Sequence, residues 1–255
     1  MSIHEKVKSF LSPYYSNETF LSNNRPFVTL TYAQSLDGKI SGKGGKQLRL
    51  SCEESMIMTH RLRTYHDGIM VGIGTIINDD PRLTARLLEI GEESKINQPQ
   101  PIILDSELRF PLSAKLLTSN ECKSPWIFTS HNCDNEKRKI LEQLGAKVIP
   151  IDSDQIGQLS LTHLLSILHI QPFSIKHLMV EGGARIIQSF LKNELIDLLI
   201  VTTAPVFVGP EAVSATGDNR KTIEGNEAEN TFPNLESVKY EQLGKDIIMI
   251  ANILR

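Results

Sequence analysis

The residues of this 255-residue chain that could do chemistry follow short apolar runs that end in polar, glycine-containing turns. One such turn is GIGTIINDDPRLTAR, residues 72–86, in which Thr75 and Asp79 precede two arginines, Arg82 and Arg86. Paired aspartates followed by proline are typical of a turn, whereas guanidinium groups bind phosphate through paired hydrogen bonds. The residues alone leave both interpretations open, a polar turn or the phosphate-binding edge of an active site.

A second turn, in MVEGGARI, runs from an apolar stretch through Glu181, Gly182 and Gly183 directly into a helical pattern at Ala184. Glycine allows a ligand to approach the backbone, and the free amides at the start of a helix bind phosphate. The spacing is not G-x-G-x-x-G, so a Rossmann site is not indicated. A tight strand-to-helix turn is equally compatible with these letters, and Glu181 is either a ligand acceptor or a solvated carboxylate.

A third turn, SLDGKISGKGG, contains Asp37, which is either a turn residue or a substrate-binding acid. Arg61 and Arg63 precede the stretch that leads to Arg86 and are further candidates for binding an anion. His60 and His163 lie within helical patterns and are interpreted as packing or surface residues. The three cysteines have no C-x-x-C spacing and no H-x-E or H-E-x-x-H motif occurs, so no metal is expected.

The elements that would position these turns alternate between strands and helices over residues 26–203. Short apolar runs predict strands near residues 25–33, 68–74, 101–106, 125–130, 146–152 and 177–183, and amphipathic patterns predict helices at 51–66, 136–145, 161–169 and 184–192. Ser51 and Glu54 suggest a capping box at the start of the first helix. A long β-prone run at 195–209 and a last strand near 246 follow. The order predicts an α/β fold with a mainly parallel central sheet, helices on both faces and antiparallel C-terminal strands. In such folds, ligands bind at the carboxyl ends of the strands.

Composition places the chain among ordinary globular proteins, with 40% hydrophobic and 22% charged residues. The formal net charge of −3 gives no basic surface for nucleic acid, and no apolar run is long enough to span a membrane. We expect residues 1–24 to form an irregular N-terminal extension and residues 25–255 a single domain, with surface excursions at 88–100 and 214–237. The N-terminus has no secretory apolar core, which predicts a cytoplasmic location, although a nuclear one would look the same.

Taken in order, the blocks SLDGKI, GxGTxxxDDPxLTxR and EGGxxI are similar to those of the riboflavin-pathway reductase family, and in particular to its stand-alone fungal members. The resemblance extends over roughly residues 25–250. It implies a dihydrofolate-reductase-like fold, a homodimer, and NADPH as the cofactor. It also implies the reduction of the ribosylamino group of a phosphorylated diaminopyrimidine to a ribitylamino chain. The sugar opens to an imine, and hydride reaches its C1′ atom.

The resemblance also implies roles for individual residues. Cofactor-binding positions are Thr75, Asp79, Val180, Glu181, Gly182, Gly183 and Ala184, and substrate-binding positions are Asp37, Arg63, Arg86 and Glu181. Glu181 and Asp37 are the candidates for catalysis, and Arg63 and Arg86 suit the ribose 5′-phosphate. Many bacterial relatives have lysine where this chain has Thr31, so a role in proton transfer cannot be carried over to that position.

Two other functions remain open from the sequence. One is another NADPH reductase of the same fold, such as a dihydrofolate reductase. The other is a non-catalytic nucleotide-binding protein that has kept the cofactor loops. The arginines favour a phosphorylated substrate over dihydrofolate.

Overall fold

The structure is a computed structural model that describes residues 1–16, 24–92, 95–154, 157–216 and 233–254. Part of the predicted excursion at 214–237 lies outside these residues. The helices are α1 (Ile3–Leu11), α2 (Glu53–Arg63), α3 (Ile73–Asp79), α4 (Lys115–Thr118), α5 (Asn135–Gln143), α6 (Leu161–His169) and α7 (Ala184–Lys192), with a 3-10 turn at Ser12–Tyr14. The strands are β1 (Phe27–Ser35), β2 (Lys39–Lys43), β3 (Gly68–Gly72), β4 (Gln100–Leu104), β5 (Trp126–Ser130), β6 (Lys147–Ile151), β7 (His177–Glu181), β8 (Leu198–Ala204), β9 (Ala212–Ser214), β10 (Leu235–Leu243) and β11 (Asp246–Ile253).

Nine of the described strands form one sheet in the order β10-β11-β8-β1-β7-β3-β4-β5-β6. Neighbours from β8 to β6 run parallel, and β11 and β10 are added antiparallel at one edge. The predicted α/β fold class, with a mainly parallel sheet and antiparallel C-terminal strands, is confirmed. The carboxyl ends of β1, β7 and β3, which are adjacent in this order, therefore meet at one edge of the sheet.

Apolar side chains alternate along the strands and form cores on both faces of the sheet. Val28, Leu30 and Val180 pack with α6 and α7 on one face. Met179 and Ile200 point to the opposite face and pack with α1 and α2. Because neighbouring residues of a strand point to opposite faces, Glu181 lies on the face of Met179, beneath the end of α2. This alternation places a charged strand end next to the basic last turn of a helix.

Four predictions of local structure were wrong or incomplete. The N-terminal extension is not irregular throughout, because Ser2 and Glu5 form a capping box that starts α1. The glycine- and lysine-rich loop after β1 contains β2, which pairs with β9 in a small second sheet. The Ser51–Glu54 capping box does not form, since Cys52 is the N-cap of α2 and makes no side-chain cap bond. Residues 235–237 of the predicted surface excursion at 214–237 belong to β10, an exposed edge strand with little apolar patterning.

In the part of the chain that the structure describes, no helix combines the length and the apolar character that crossing a bilayer requires.

Candidate active site

A cleft of about 2000 Å³ opens at the carboxyl edge of the parallel strands. Its floor contains Thr31 of β1 and Glu181 of β7, which are partners in the sheet register. The small β2–β9 sheet contributes Ile40, Ser41 and Val213 to the wall. The cleft therefore lies where open α/β sheets bind their ligands, as the strand order predicts.

The first turn of α7 presents backbone to this cleft. Gly183 is the N-cap of α7 and makes no side-chain cap bond, so amides of the first turn are left for a ligand. A Cβ added at Gly183 would meet only Thr75 Oγ1, at 3.9 Å, whereas one at Gly182 would lie 2.8 Å from Ile186 Cβ. Gly182 is therefore required by packing against α7, and Gly183 leaves open space that a ligand can occupy.

Glu181 and Arg63 bind each other at the centre of the cleft. Arg63 donates from Nε to Glu181 Oε1 and from Nη2 to Oε2, each at 2.8 Å. Its Nη1 donates to the carbonyl oxygen of Thr84 at 2.8 Å. The guanidinium thus holds the carboxylate in one orientation and ties the end of α2 to the segment before Arg86. Arg63 and Glu181, which are both predicted to bind substrate, form a bidentate ion pair that the sequence did not indicate.

Arg86 is exposed and lines the same cleft. Its Nη1 donates to Thr84 Oγ1 at 2.8 Å. Partial desolvation by the surrounding protein first, and then the nearby charges of Arg63 and Arg82, lower the pKa of the guanidinium. Because like charges repel, the positive potential at Arg86 favours an anionic group on the ligand.

Asp37 is separated from the other predicted site residues, since it is not among the residues that line the cleft. Its carboxylate accepts from Ser35 Oγ at 2.6 Å and from the amides of Val208 and Gly209 at 3.1 and 2.8 Å. These hydrogen bonds, that of Ser35 first, lower the pKa of Asp37 to about 2. The geometry supports a role in holding the loop after β8, and the predicted role in catalysis and substrate binding stays a prediction.

The remaining predicted cofactor positions are divided between the cleft and the core. Thr75, Asp79 and Ala184 line the cleft, and burial raises the pKa of the Asp79 carboxyl. Val180 is fully buried in the core beneath α7, and its position pairs with Leu30 and Met70 in the sheet. The backbone around Val180 faces the site, whereas the Val180 side chain does not.

Comparison with known proteins shows the family to which this chain belongs. The sequence profile of the family described as RibD C-terminal domain matches residues 26–249. The chain belongs to this family. Among its relatives, the 2,5-diamino-6-ribosylamino-4(3H)-pyrimidinone 5′-phosphate reductase of Debaryomyces hansenii is 40% identical over 82% of this chain and 86% of the relative. The reductase of the same name from Archaeoglobus fulgidus is 37% identical over 72% and 83% of the two chains.

Two solved structures have the same fold. The Saccharomyces cerevisiae riboflavin biosynthesis reductase Rib7 superimposes with a TM-score of 0.74 at 28% identity, over 98% of this chain and all of its own. The Acinetobacter baumannii RibD superimposes with a TM-score of 0.76 at 26% identity, over 91% of this chain and 59% of its own.

Several residues at the site of this RibD-family chain were missed or misjudged from sequence. His60, interpreted as a packing or surface residue, is buried as the first interpretation expects, but it also lines the cleft and accepts from the backbone amide of Arg86. Gln98, placed in a surface excursion, binds the backbone of Ala85 twice. Ser106 and Arg109 line the cleft beyond β4. Ser130 does not line it, and its hydroxyl donates to the Ser106 carbonyl oxygen. A single sequence gives no signal for such side-chain-to-backbone bonds, because their partners are distant along the chain.

Proposed function

We propose that this chain is the NADPH-dependent reductase that converts the ribosylamino group of 2,5-diamino-6-ribosylamino-4(3H)-pyrimidinone 5′-phosphate to the ribitylamino product of riboflavin biosynthesis. The observation that carries the proposal is the cleft in which α7 presents an uncapped first turn beside the Arg63–Glu181 pair and Arg86. This arrangement provides one place for a dinucleotide phosphate and another for a phosphorylated pyrimidine. The names of the relatives give the substrate.

The residues present fit the nicotinamide cofactor. The amides at the start of α7 suit its diphosphate, because a helix N-terminus carries partial positive charge. Gly183 leaves room for close approach, and Thr75 lies opposite it with a hydroxyl. When bound, NADPH supplies the hydride, and the chain's own residues align the two reactants. The preference for NADPH over NADH belongs to the proposal, and Arg109 and Ser106 in the cleft are suited to a 2′-phosphate.

The substrate side is assigned to Arg86 and the Arg63–Glu181 pair. Arg86 binds the 5′-phosphate, since its guanidinium is exposed in the cleft and flanked by other cations. Glu181 accepts hydrogen bonds from an amino group of the pyrimidine. Both of its oxygens already accept from Arg63, so it is held as an acceptor in fixed orientation. In this assignment Arg63 positions Glu181, and Glu181 would orient the substrate toward the hydride that the cofactor would supply.

The proposal has two further parts, which concern the oligomeric state and the location of the protein. A homodimer is implied by the family resemblance, and Val238, Tyr240 and Ile247 form an exposed apolar patch on the β10–β11 edge that a second copy could cover. Sedimentation of the protein at micromolar concentration tests this part. The cytoplasmic location stays a prediction.

The proposal is tested by incubating the protein with NADPH and the pyrimidine phosphate and identifying the product by mass spectrometry. We expect substrate-dependent oxidation of NADPH and a ribitylamino product, with no oxidation in the presence of dihydrofolate. Turnover of dihydrofolate alone would favour the alternative reductase, and NADPH binding without any turnover would favour the nucleotide-binding alternative. Arg109→Ala should weaken NADPH binding and leave NADH binding unchanged, which tests the cofactor assignment separately.

A further inference from the structure

The segment Thr84–Arg86, here called the 84–86 segment, has no regular secondary structure although Thr84 and Ala85 are buried. Buried backbone groups outside helices and sheets need other partners. The segment also follows two residues with left-handed backbone, Asp80 at φ 41° and Leu83 at φ 56°, a conformation that side chains with a Cβ disfavour. A segment of this kind keeps one conformation only when its surroundings hold it.

Three side chains provide these partners, two from α2 and one from the segment before β4. Arg63 donates to the Thr84 carbonyl oxygen at 2.8 Å. Gln98 accepts from the Ala85 amide at 2.7 Å and donates to the Ala85 carbonyl oxygen at 2.9 Å, as a neighbouring strand would. His60 Nδ1 accepts from the Arg86 amide at 3.0 Å. Each residue of the segment is thus held by a different side chain, and the bond that His60 accepts comes from the backbone amide of Arg86 itself.

His60 is suited to this role only as a neutral ring. A backbone N–H must donate, so Nδ1 carries no proton and the tautomer is fixed by the bond. The side chain is 2% exposed, between the charges of Arg63 and Arg86. Burial first, and then these two guanidinium groups, lower its pKa to about 3, while a hydrogen bond to the Thr84 backbone acts in the opposite direction. The imidazole is therefore neutral at neutral pH and acts as a hydrogen-bond acceptor although it lies between two cations.

We infer that His60 and Gln98 are positioning residues for substrate-phosphate recognition, which act by fixing the backbone of the 84–86 segment so that Arg86 points into the cleft. The inference rests on the proposed function only in assigning the substrate phosphate to Arg86. Neither side chain needs to touch substrate or cofactor. Loss of either bond keeps the Arg86 side chain but allows its backbone, and the guanidinium with it, to move, which weakens binding of the phosphate and leaves the chemical step intact.

The first test compares His60→Leu with His60→Asn, because the Asn Oδ1 can occupy the position of Nδ1 and accept from the Arg86 amide. We expect His60→Leu to raise KM for the pyrimidine phosphate about tenfold, with kcat and the NADPH dissociation constant changed less than twofold. His60→Asn should restore most of this loss. Should His60→Leu fail to fold, His60→Gln, whose amide reaches the Nε2 position instead, is the impaired partner in the comparison.

Gln98 provides an independent test of the same inference. Gln98→Leu removes both bonds to Ala85, whereas Gln98→Glu keeps the acceptor for the Ala85 amide. We expect KM to rise in the order wild type, Gln98→Glu, Gln98→Leu. Combining His60→Leu with Arg86→Ala should raise KM no further than Arg86→Ala alone, because His60 acts through Arg86.

A matched control is His66→Leu, which also removes a buried histidine of low pKa. His66 bonds Leu62 and Thr29 below the sheet edge and does not line the cleft, so this variant should lower Tm and leave KM unchanged. The substrate without its phosphate gives a second control, since His60→Leu should not affect it. An unchanged KM in His60→Leu, an equal loss with the phosphate-free substrate, or additivity with Arg86→Ala would overturn the inference.

Failure of the inference is distinguishable from failure of the proposed function. Wild-type turnover of the pyrimidine phosphate tests the function without any variant. If wild type shows no turnover, calorimetric binding of ribose 5-phosphate to wild type and to His60→Leu tests the positioning role, with about tenfold weaker binding expected in the variant. Equal binding by both, or none by wild type, would contradict it.

Discussion

Replacing Arg63 with methionine isolates the interaction at the centre of the site. The variant removes both hydrogen bonds to Glu181 and the one to Thr84, while the methionine fills part of the same space. The side chains of Arg63 and Glu181 are 10% and 21% exposed, so the carboxylate is left with limited access to water. Breaking a buried ion pair from one side costs about 3–5 kcal/mol, and partial exposure of Glu181 places the expected loss near the lower limit.

We therefore expect the free energy of unfolding of Arg63→Met to fall by about 3 kcal/mol, equivalent to a decrease in Tm on the order of 10 °C. Urea denaturation, followed by circular dichroism and with the slope m checked for constancy, measures this loss. The double variant Arg63→Met/Glu181→Met removes the unpaired charge as well. It should recover at least about 1.5 kcal/mol relative to the sum of the single variants.

The control is Lys139→Met, which breaks an ion pair with Glu136 whose side chains are 67% and 81% exposed. This change should alter stability by less than about 0.5 kcal/mol. A loss below about 1 kcal/mol in Arg63→Met, or single variants that add without coupling, would refute the view that the pair is a fixed unit.

Three further predictions concern other parts of the site. Gly183→Ala should weaken NADPH binding without lowering Tm, because the added Cβ meets no protein atom closer than 3.9 Å. Gly182→Ala should lower Tm, because its Cβ would lie 2.8 Å from Ile186. Equal effects of the two variants on Tm would argue against separate roles for the two glycines. Stability should decrease as pH falls from about 6.5 toward 3, because His60 and His66 are buried and neutral with pKa values lowered to about 3, whereas the same histidines in the unfolded chain take up protons near pH 6.5. Each histidine should lower the free energy of unfolding by about 1–2 kcal/mol between pH 7 and pH 5. The urea midpoint of His66→Gln should therefore depend less on pH than that of the wild type. Asp37→Asn should reduce kcat less than tenfold, since the carboxylate holds the loop at Val208 and Gly209, and a loss of a thousandfold or more in steady-state kinetics would instead support the catalytic role.

The sequence was sufficient for the regular part of the fold because burial follows periodicity. Helices α6 and α7 begin and end at the predicted residues, and the order of apolar runs gave the parallel sheet. Strands β2 and β10 were missed because they are edge or two-stranded elements with little apolar patterning. Helix α1 was missed although Ser2 and Glu5 carried its capping signal.

The features of the site that have a local sequence pattern could likewise be predicted, and those that depend on distant contacts could not. Motifs formed by neighbouring residues, such as the EGG turn, could be identified from sequence. The turn that paired aspartates and proline favour is also present, since Asp80 is the left-handed C-cap of α3 and accepts from the Lys115 amide. The pairing of Arg63 with Glu181 joins residues 118 positions apart, and that of His60 with the Arg86 amide joins residues 26 apart. Such contacts depend on how α2 lies across the sheet, which no local pattern contains.

The most direct test of the central claim is a transfer experiment with NADPH that carries deuterium at both positions of nicotinamide C4. Incubation with the pyrimidine phosphate, followed by mass spectrometry of the product and its fragments, reports where the hydride goes. The account predicts a ribitylamino product with one deuterium at C1′ of the former ribose. A product without deuterium, deuterium on the pyrimidine ring, or the absence of product with an active cofactor site would contradict it.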